Sequence, residues 1–405
     1  MEKRRPLEGI KVADFSWIAA GPMVTKQLAE HGATVVKVES MTRPDILRNY
    51  IPMAGGIPGV NRCASFSAYN DSKYSIALKL STPRGIEVAK RLIAWADIVI
   101  ENFIPGTMEK WGLGYDDIRK FKPDVIMVRL SMQGQTGPRA TQAGLGTMLM
   151  GPSGISEVTG WPDRDPVGIP TAYTDWIAPW YMVVAIIGAL NRRKQTGKGM
   201  YIDCSQLEAG ASFLSPAILD YTVNGRVQTK DGNRSPYAAP HGAYRCRGDD
   251  RWCAIATFTD DEWHSFCKVI GEPPWTKDSR FTTLIGRKKN EDELNPLVEA
   301  WTINFSPEEV MKELQAAGVA AGIVENGQDL HEDPQLKHRH HFWFLEHPEM
   351  GLHSYDGQSY RLTKTPGELT MPAPCLGQHT EYVCCEVMGM PDEEFMELLA
   401  EGVFE

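Results

Sequence analysis

Lys11-Val-Ala-Asp-Phe-Ser-Trp17-Ile-Ala-Ala-Gly21-Pro22-Met-Val-Thr-Lys-Gln-Leu-Ala-Glu-His31-Gly32-Ala-Thr-Val-Val-Lys-Val-Glu39 sets two short apolar, β-branched runs on either side of a segment with helical spacing. Lys11 to Trp17 reads as a strand, Ala-Ala-Gly21-Pro22 as a turn and Met23 to His31 as a helix. Gly32 stops that helix, and Ala33 to Glu39 reads as a second strand. Strand, helix, strand at this spacing is a βαβ unit. The pattern repeats further on, with a helix over 84–95, a strand over 97–101, a loop from Asn102 to Gly106, a helix over 115–121 and a strand over 125–131. Short apolar strands alternating with helices imply an α/β fold with a mainly parallel, doubly wound sheet.

Beyond the polar link 191–199 a strand is expected over 200–204 and a long helix over 206–221. The texture then changes. Residues 225–255 are rich in Gly, Pro, Arg and aromatics, and 242–256 reads as a hairpin turning at Gly248-Asp249-Asp250. Helices are expected over 260–270 and 306–317. The expected division is a large domain over 1–200, a linker helix over 201–224, a smaller α+β domain over 225–325, and a return to the large domain over 326–405.

The 405 residues are 42% apolar and 23% charged, as in an ordinary globular protein, and the length suits about two to three domains. The net charge is -10, and the basic residues are scattered apart from Lys3-Arg4-Arg5 and Arg192-Arg193-Lys194. That balance argues against nucleic acid as a partner and asks any anionic ligand to be held by a few local cations and N–H groups. The amino terminus lacks a signal-peptide core, and the apolar run Trp176 to Leu190 is shorter than a bilayer span, so a cytoplasmic protein is expected. Eight cysteines include no Cys-x-x-Cys pair, which suits reduced thiols.

Asp175 is the carboxylate set directly against that apolar run. Two roles are open to it. Asp is a favoured helix cap, and a poorly hydrated carboxylate is also a candidate nucleophile. Pro179 bears on the choice. Proline suits the first helical position, so the helix is expected to start there, with Asp175 in the loop ahead of it.

Other signals are weaker. Gly-x-Gly-x-x-Gly is absent at Gly21-Pro22, so a structural Rossmann-like unit is favoured over a NAD site, although Glu39 stands where a ribose-binding acid would. Asn102 and Phe103 follow a strand at the sheet edge where such folds bind ligands, Asn102 as a hydrogen-bonding group and Phe103 as a stacking ring. Lys110 lies a helical step later as a phosphate contact. His338-Arg-His340-His341 lacks zinc spacing, and no metal is expected. No Gly-x-Ser-x-Gly elbow or P-loop occurs.

In chain order, Pro6-Leu-Glu-Gly-Ile-Lys-Val-Ala-Asp-Phe-Ser16, Gly32 to Glu39, Glu101-Asn-Phe-Ile-Pro-Gly106, Gly134-Gln-Thr-Gly-Pro138, Thr196-Gly-Lys-Gly199 and Pro374-Cys-Leu-Gly-Gln-His-Thr380 resemble the family III CoA-transferases. That group includes formyl-CoA transferase, carnitine CoA-transferase and the 2-methylacyl-CoA racemases. The resemblance implies a large Rossmann-like domain built from both chain ends, a smaller domain between, and two chains interlocked as a dimer. It implies Asp175 as the catalytic aspartate. Ile18 and Ala19 would line the CoA path, Leu78 and Lys79 would approach the nucleotide, and Asn102, Phe103 and Lys110 would complete the CoA site. CoA and its acyl thioesters are the implied co-substrates.

Departures from the family pattern narrow the activity. Racemases place His-Asp after Ala-Gly, where this chain has Leu145-Gly146, and leucine carries no proton. Formyl-CoA transferases have an acidic residue at the position of Gly146 and a four-glycine run that is absent here. Leu145, Gly146 and Trp176 suggest a roomier, more apolar acyl pocket. Ser40 and Ala143 stand where relatives have a basic CoA contact, leaving Arg43, Arg48 or Arg139 as substitutes. The expectation is a CoA-transferase moving CoA from an acyl-CoA, such as succinyl-CoA, to a medium-sized carboxylic acid such as benzylsuccinate. A racemase and a subunit of a heteromeric transferase are the alternatives.

Overall fold

The computed structural model describes residues 5–405, so Lys3 and Arg4 of the basic run lie outside the described residues. The chain divides into two compact units. The first takes the described residues up to Ser156, with Gly168–Gln228 and Gln335–Glu405; the second takes Glu157–Val167 and Thr229–Pro334.

In the first unit, β1 (Lys11–Asp14), α1 (Ala20–Glu30) and β2 (Thr34–Glu39) form the βαβ motif. They are followed by α2 (Ala64–Asn70), β3 (Tyr74–Ala77), α3 (Pro83–Trp95), β4 (Ile98–Glu101), α4 (Thr107–Lys110), α5 (Tyr115–Ile118) and β5 (Ile126–Ser131). Next come α6 (Gly146–Leu149), α7 (Tyr173–Thr196), β6 (Met200–Ser205), α8 (Gln206–Phe213) and α9 (Ser215–Asn224). The six strands form one parallel sheet in the order β3-β2-β1-β4-β5-β6. That is the strand order of the doubly wound dinucleotide-binding folds.

Strand alternation sends side chains to two cores. Val12, Val35, Ile98, Ile100, Ile126 and Val128 pack on one face with α1 and with Ala178, Met182, Ile186 and Ala189 of α7. Ala13, Val36, Val99 and Met127 face the other side, with α3 and with Phe395 and Leu398 from the carboxyl end. Both ends of the chain therefore build this unit. A hairpin of β10 (Phe342–His347) and β11 (Gly351–Asp356) also belongs to it. In the second unit, β7 (His241–Arg245), β8 (Trp252–Ala256) and β9 (Ala320–Ile323) make an antiparallel sheet over a core that includes Trp263, Phe266, Leu294 and Val298.

Several sequence expectations need correction. β1 stops at Asp14, where the chain turns to satisfy that buried carboxylate. Ser16 N–H donates to it at 2.9 Å and Thr25 Oγ1 at 2.6 Å. α1 opens at Ala20, before Gly21-Pro22, because a proline in the first turn lacks only an N–H that has no helical partner there. Gly21 is required at that turn, since a Cβ on it would lie 2.2 Å from the Ser16 Cβ. The long helix expected over 206–221 is two, α8 and α9, broken at Leu214 ahead of Pro216. α7 starts at Tyr173, six residues before Pro179. Its 24 residues are long and apolar enough to cross a membrane by length and composition, and Ala178, Met182, Ile186 and Ala189 are buried on the sheet at helical spacing.

Candidate active site

Asp175 is the third residue of α7, in the first turn, and not in a preceding loop. Pro179 is tolerated inside the helix because it removes one hydrogen bond, the one the Asp175 carbonyl would accept four residues back. The turn is tied instead by Asp175 N–H donating to the Ala172 carbonyl at 2.8 Å. The cap reading also fails, since no side chain caps α7.

Asp175 is 7% exposed, and among the described residues nothing donates a hydrogen bond to its carboxylate or pairs with it. Burial alone pushes its pKa up to about 7. Gly146, the first residue of α6, makes the room. A Cβ there would sit 2.4 Å from each of the carboxylate's three heavy atoms. Thr174 Oγ1 donates to the Gly146 carbonyl at 3.3 Å and holds α6 against α7. Leu145 lies at the mouth of α6, half-buried, and Trp176 is exposed with its indole N–H on Thr171. Leu145, Gly146 and Trp176 thus gather around the head of α7.

A cavity of about 570 Å³ opens at the carboxyl edge of the parallel sheet. Leu78, Lys79 and Phe103 line it, together with Trp17, Arg43 and Trp111. Phe103 meets Trp17 and Trp111 edge to face, at 5.4 and 5.7 Å. Arg43 and Lys79 are the cations of this wall, against Glu39. Asp175 does not line it, and neither do Ile18, Ala19, Asn102 or Lys110.

The structure gives those residues other work. The Asn102 amide clamps the Trp17 backbone from both sides, accepting from its N–H at 2.8 Å and donating to its carbonyl at 2.7 Å. Its side chain is therefore occupied by protein. Ile18 sits in the left-handed region, φ 68°, and its N–H donates to both oxygens of the Asp45 carboxylate at 3.0 Å. Buried Lys37 ties Asp45 to the Ser16 carbonyl. A fixed backbone at Trp17-Ile18 is the result. Lys110 is exposed on α4.

Arg48 is removed from the candidate phosphate contacts. It is fully buried, forks onto Glu39 with two bonds of 2.7 Å and stacks on Phe66 at 3.6 Å. Glu39 is correspondingly an ion-pair partner; burial raises its pKa, but Arg48 and then Lys37 outweigh that and hold it low. Among the described residues no group of three or more His, Cys, Asp or Glu is arranged to hold a metal ion. Gln135 N–H in the Gly134 to Pro138 loop bonds Asp203 of β6. Trp17 and Asp45 were missed from sequence. Trp17 had a signal, since it ends the apolar run read as the first strand and so stands just past the strand's carboxyl end, where ligands bind in such folds.

The model of the family described as CoA-transferase family III matches residues 7–380. A succinyl-CoA–D-citramalate CoA-transferase of Chloroflexus aurantiacus is 31% identical, over 98% of this chain and 98% of its own. A mouse succinyl-CoA:glutarate CoA-transferase is also 31% identical, over 100% of this chain and 91% of its own. A crystal structure of a CAIB/BAIF family protein from Brucella suis superposes with TM-score 0.87 at 32% identity, covering 95% of this chain and 100% of that one.

Proposed function

We propose, from the premise that this chain belongs to CoA-transferase family III and is an acyl-CoA:carboxylate CoA-transferase, that Asp175 is its nucleophile, succinyl-CoA its donor and a short dicarboxylate its acceptor. The observation that carries the reading is the Asp175 carboxylate itself, buried and without a partner beside a residue that has no side chain. Among the described residues no group pairs with it, and its desolvation leaves the attacking oxygen poorly hydrated.

In the proposed cycle an Asp175 oxygen attacks the thioester carbonyl of the donor and expels CoA thiolate, leaving a mixed anhydride. The thiolate then attacks the Asp175 carbonyl, releasing the donor acid and forming an aspartyl-CoA thioester. An acceptor carboxylate reverses the sequence, so the thioester energy is retained. Both acyl intermediates hydrolyse readily, which gives the burial a purpose. The donor and acceptor class follow the relatives' own named substrates, succinyl-CoA with citramalate or glutarate. Benzylsuccinate fits that class as a dicarboxylate with an aromatic arm, which Trp176 would face.

CoA itself belongs to the sheet-edge cavity, with Leu78, Lys79 and Phe103 as contacts and Arg43 as the remaining basic candidate. Ile18 and Asn102 act there through the Trp17 backbone that they and Asp45 fix. A racemase would need a second acid or base facing Asp175, and Leu145 offers none. An interlocked homodimer is supported by apolar side chains left open on α7 and α9, Trp180, Tyr181, Val184, Leu219, Tyr221 and Val223. Native mass measurement of the chain expressed alone separates a homodimer from a heteromer. The function is tested with Asp175→Ala and a panel of dicarboxylates. Transfer from succinyl-CoA is expected to vanish while CoA still binds, and hydroxylamine should trap an adduct on Asp175 in the wild type only. Transfer at the wild-type rate by the variant would refute the mechanism.

A further inference from the structure

A buried cation holds two segments of the sheet-edge cavity's wall without lining the cavity itself. Arg129 of β5 is paired in register with Glu101 of β4, and the two residues are 4% and 0% exposed. Its guanidinium has two carboxylate partners. The Nε donates to Glu101 Oε1, and the two terminal nitrogens fork onto the Glu109 carboxylate of α4 at 2.6 and 3.3 Å. Each partner carries part of the wall. The other Glu101 oxygen accepts the Phe103 N–H at 2.6 Å, and Glu109 sits in α4 between Thr107 and Trp111. Gly114 seats Glu109 from behind, since a Cβ there would lie 2.9 Å from the Glu109 Cγ. Phe103, Thr107 and Trp111 line the cavity, and Phe103 meets Trp111 edge to face. A buried ion pair adds little net stability, because desolvation offsets the attraction, but a planar guanidinium with fixed N–H directions sets where its partners point.

We propose that Arg129 is a positioning residue for acyl-CoA binding, fixing Phe103 through Glu101, and Thr107 and Trp111 through Glu109. The proposal rests on the sheet-edge cavity being the CoA site. Two carboxylates answer the charge of Arg129, so it serves the wall and not a phosphate. A wall that stands formed in the free protein spares the ordering that binding would otherwise cost. The effect falls on KM for the acyl-CoA and leaves the chemical step at Asp175 alone.

Arg129→Lys and Glu109→Ala test this. Lysine keeps a positive charge beside Glu101, so the buried carboxylate is not stranded, but a point charge cannot bridge both acids. For either variant the expected result is KM for succinyl-CoA raised about fivefold, with kcat within about twofold of wild type. Glu109→Gln still offers Arg129 an acceptor and should stay within about twofold of wild type in both constants. A purely structural role would lower the active fraction, and with it kcat, at unchanged KM. An Arg129 that bound the CoA phosphates directly would be freed by Glu109→Ala, and KM would fall. Either outcome overturns the proposal. Phe103→Ala is measured alongside. A raised KM in Phe103→Ala with an unchanged KM in Arg129→Lys and Glu109→Ala removes the role of Arg129 and leaves the CoA site standing, whereas an unchanged KM in Phe103→Ala takes CoA out of this cavity and removes both.

Discussion

Asp175→Asn should make this protein inactive and more stable at once, by an amount that depends on pH. The folded-state pKa of about 7 stands above the ordinary 3.8, and burial is its cause. A carboxyl whose pKa is raised on folding burdens the folded state only when it is charged. The burden is absent below pH 3.8, grows as pH rises through the interval and is complete above about 7. At about 1.4 kcal/mol per unit, the charge costs the fold about 1.7 kcal/mol at pH 5 and about 4 kcal/mol at pH 8. Asparagine has nearly the same shape and never carries the charge. The variant should therefore outlast wild type in denaturant at pH 8 by about 2.5 kcal/mol more than it does at pH 5. Because the chain has two units, the comparison is made on the transition reported by the Trp176 and Trp180 region, with both proteins free of CoA. A stability difference that is the same at both pH values would refute the account of Asp175 as a charge held without compensation. A variant less stable than wild type at pH 8 would refute it more strongly, by revealing a partner for the carboxylate.

Activity should follow the same titration. Since the ionised form is the nucleophile, kcat/KM of the wild type should rise about tenfold per pH unit below pH 7 and level off above it, and a profile flat from pH 5.5 to 8.5 would contradict the assignment. Gly146→Ala places a methyl group 2.4 Å from the carboxylate in a backbone that accepts alanine, so Asp175 must rotate away. Transfer should fall about 100-fold or more with CoA affinity unchanged, as measured by steady-state kinetics and calorimetric titration. Lys79→Ala removes a half-buried cation from the sheet-edge cavity, and KM for the acyl-CoA should rise by up to about fivefold, with a weaker dependence on salt. An unchanged KM and salt slope would take Lys79 out of the CoA site.

What the sequence revealed and what it hid divide by the range of the interactions concerned. β1, β2, β4, β5 and β6 each carry consecutive apolar or β-branched residues, so the parallel sheet could be read from local pattern alone. β3 is four residues, Tyr-Ser-Ile-Ala, with a serine in the run, and only its pairing with β2 makes it a strand. The same limit governs the site. Phe103 could be placed at a sheet edge from the strand before it. The direction of the Asn102 amide was set by the Trp17 backbone, 85 residues away in sequence, and Arg48 was taken from the ligand by Glu39 across a turn.

The most instructive failure lies at Asp175, where a sound local rule pointed the wrong way. Proline normally opens a helix, and Pro179 was read so, yet α7 carries six residues ahead of it. Those six do not form a favourable helix start by any local measure, with no side-chain cap and with a carboxylate buried without a partner. Packing of Ala178, Met182 and Ile186 on the sheet, and the grip of Thr174 on Gly146, hold the turn against its own preferences. Proteins break local rules where a site needs them broken and compensate elsewhere. A loop ahead of Pro179 would have left Asp175 free to find water or a cap. The extra turn of helix fixes it, nearly buried, against Gly146 with no side-chain cap, which raises its pKa and leaves the carboxylate poorly hydrated for attack.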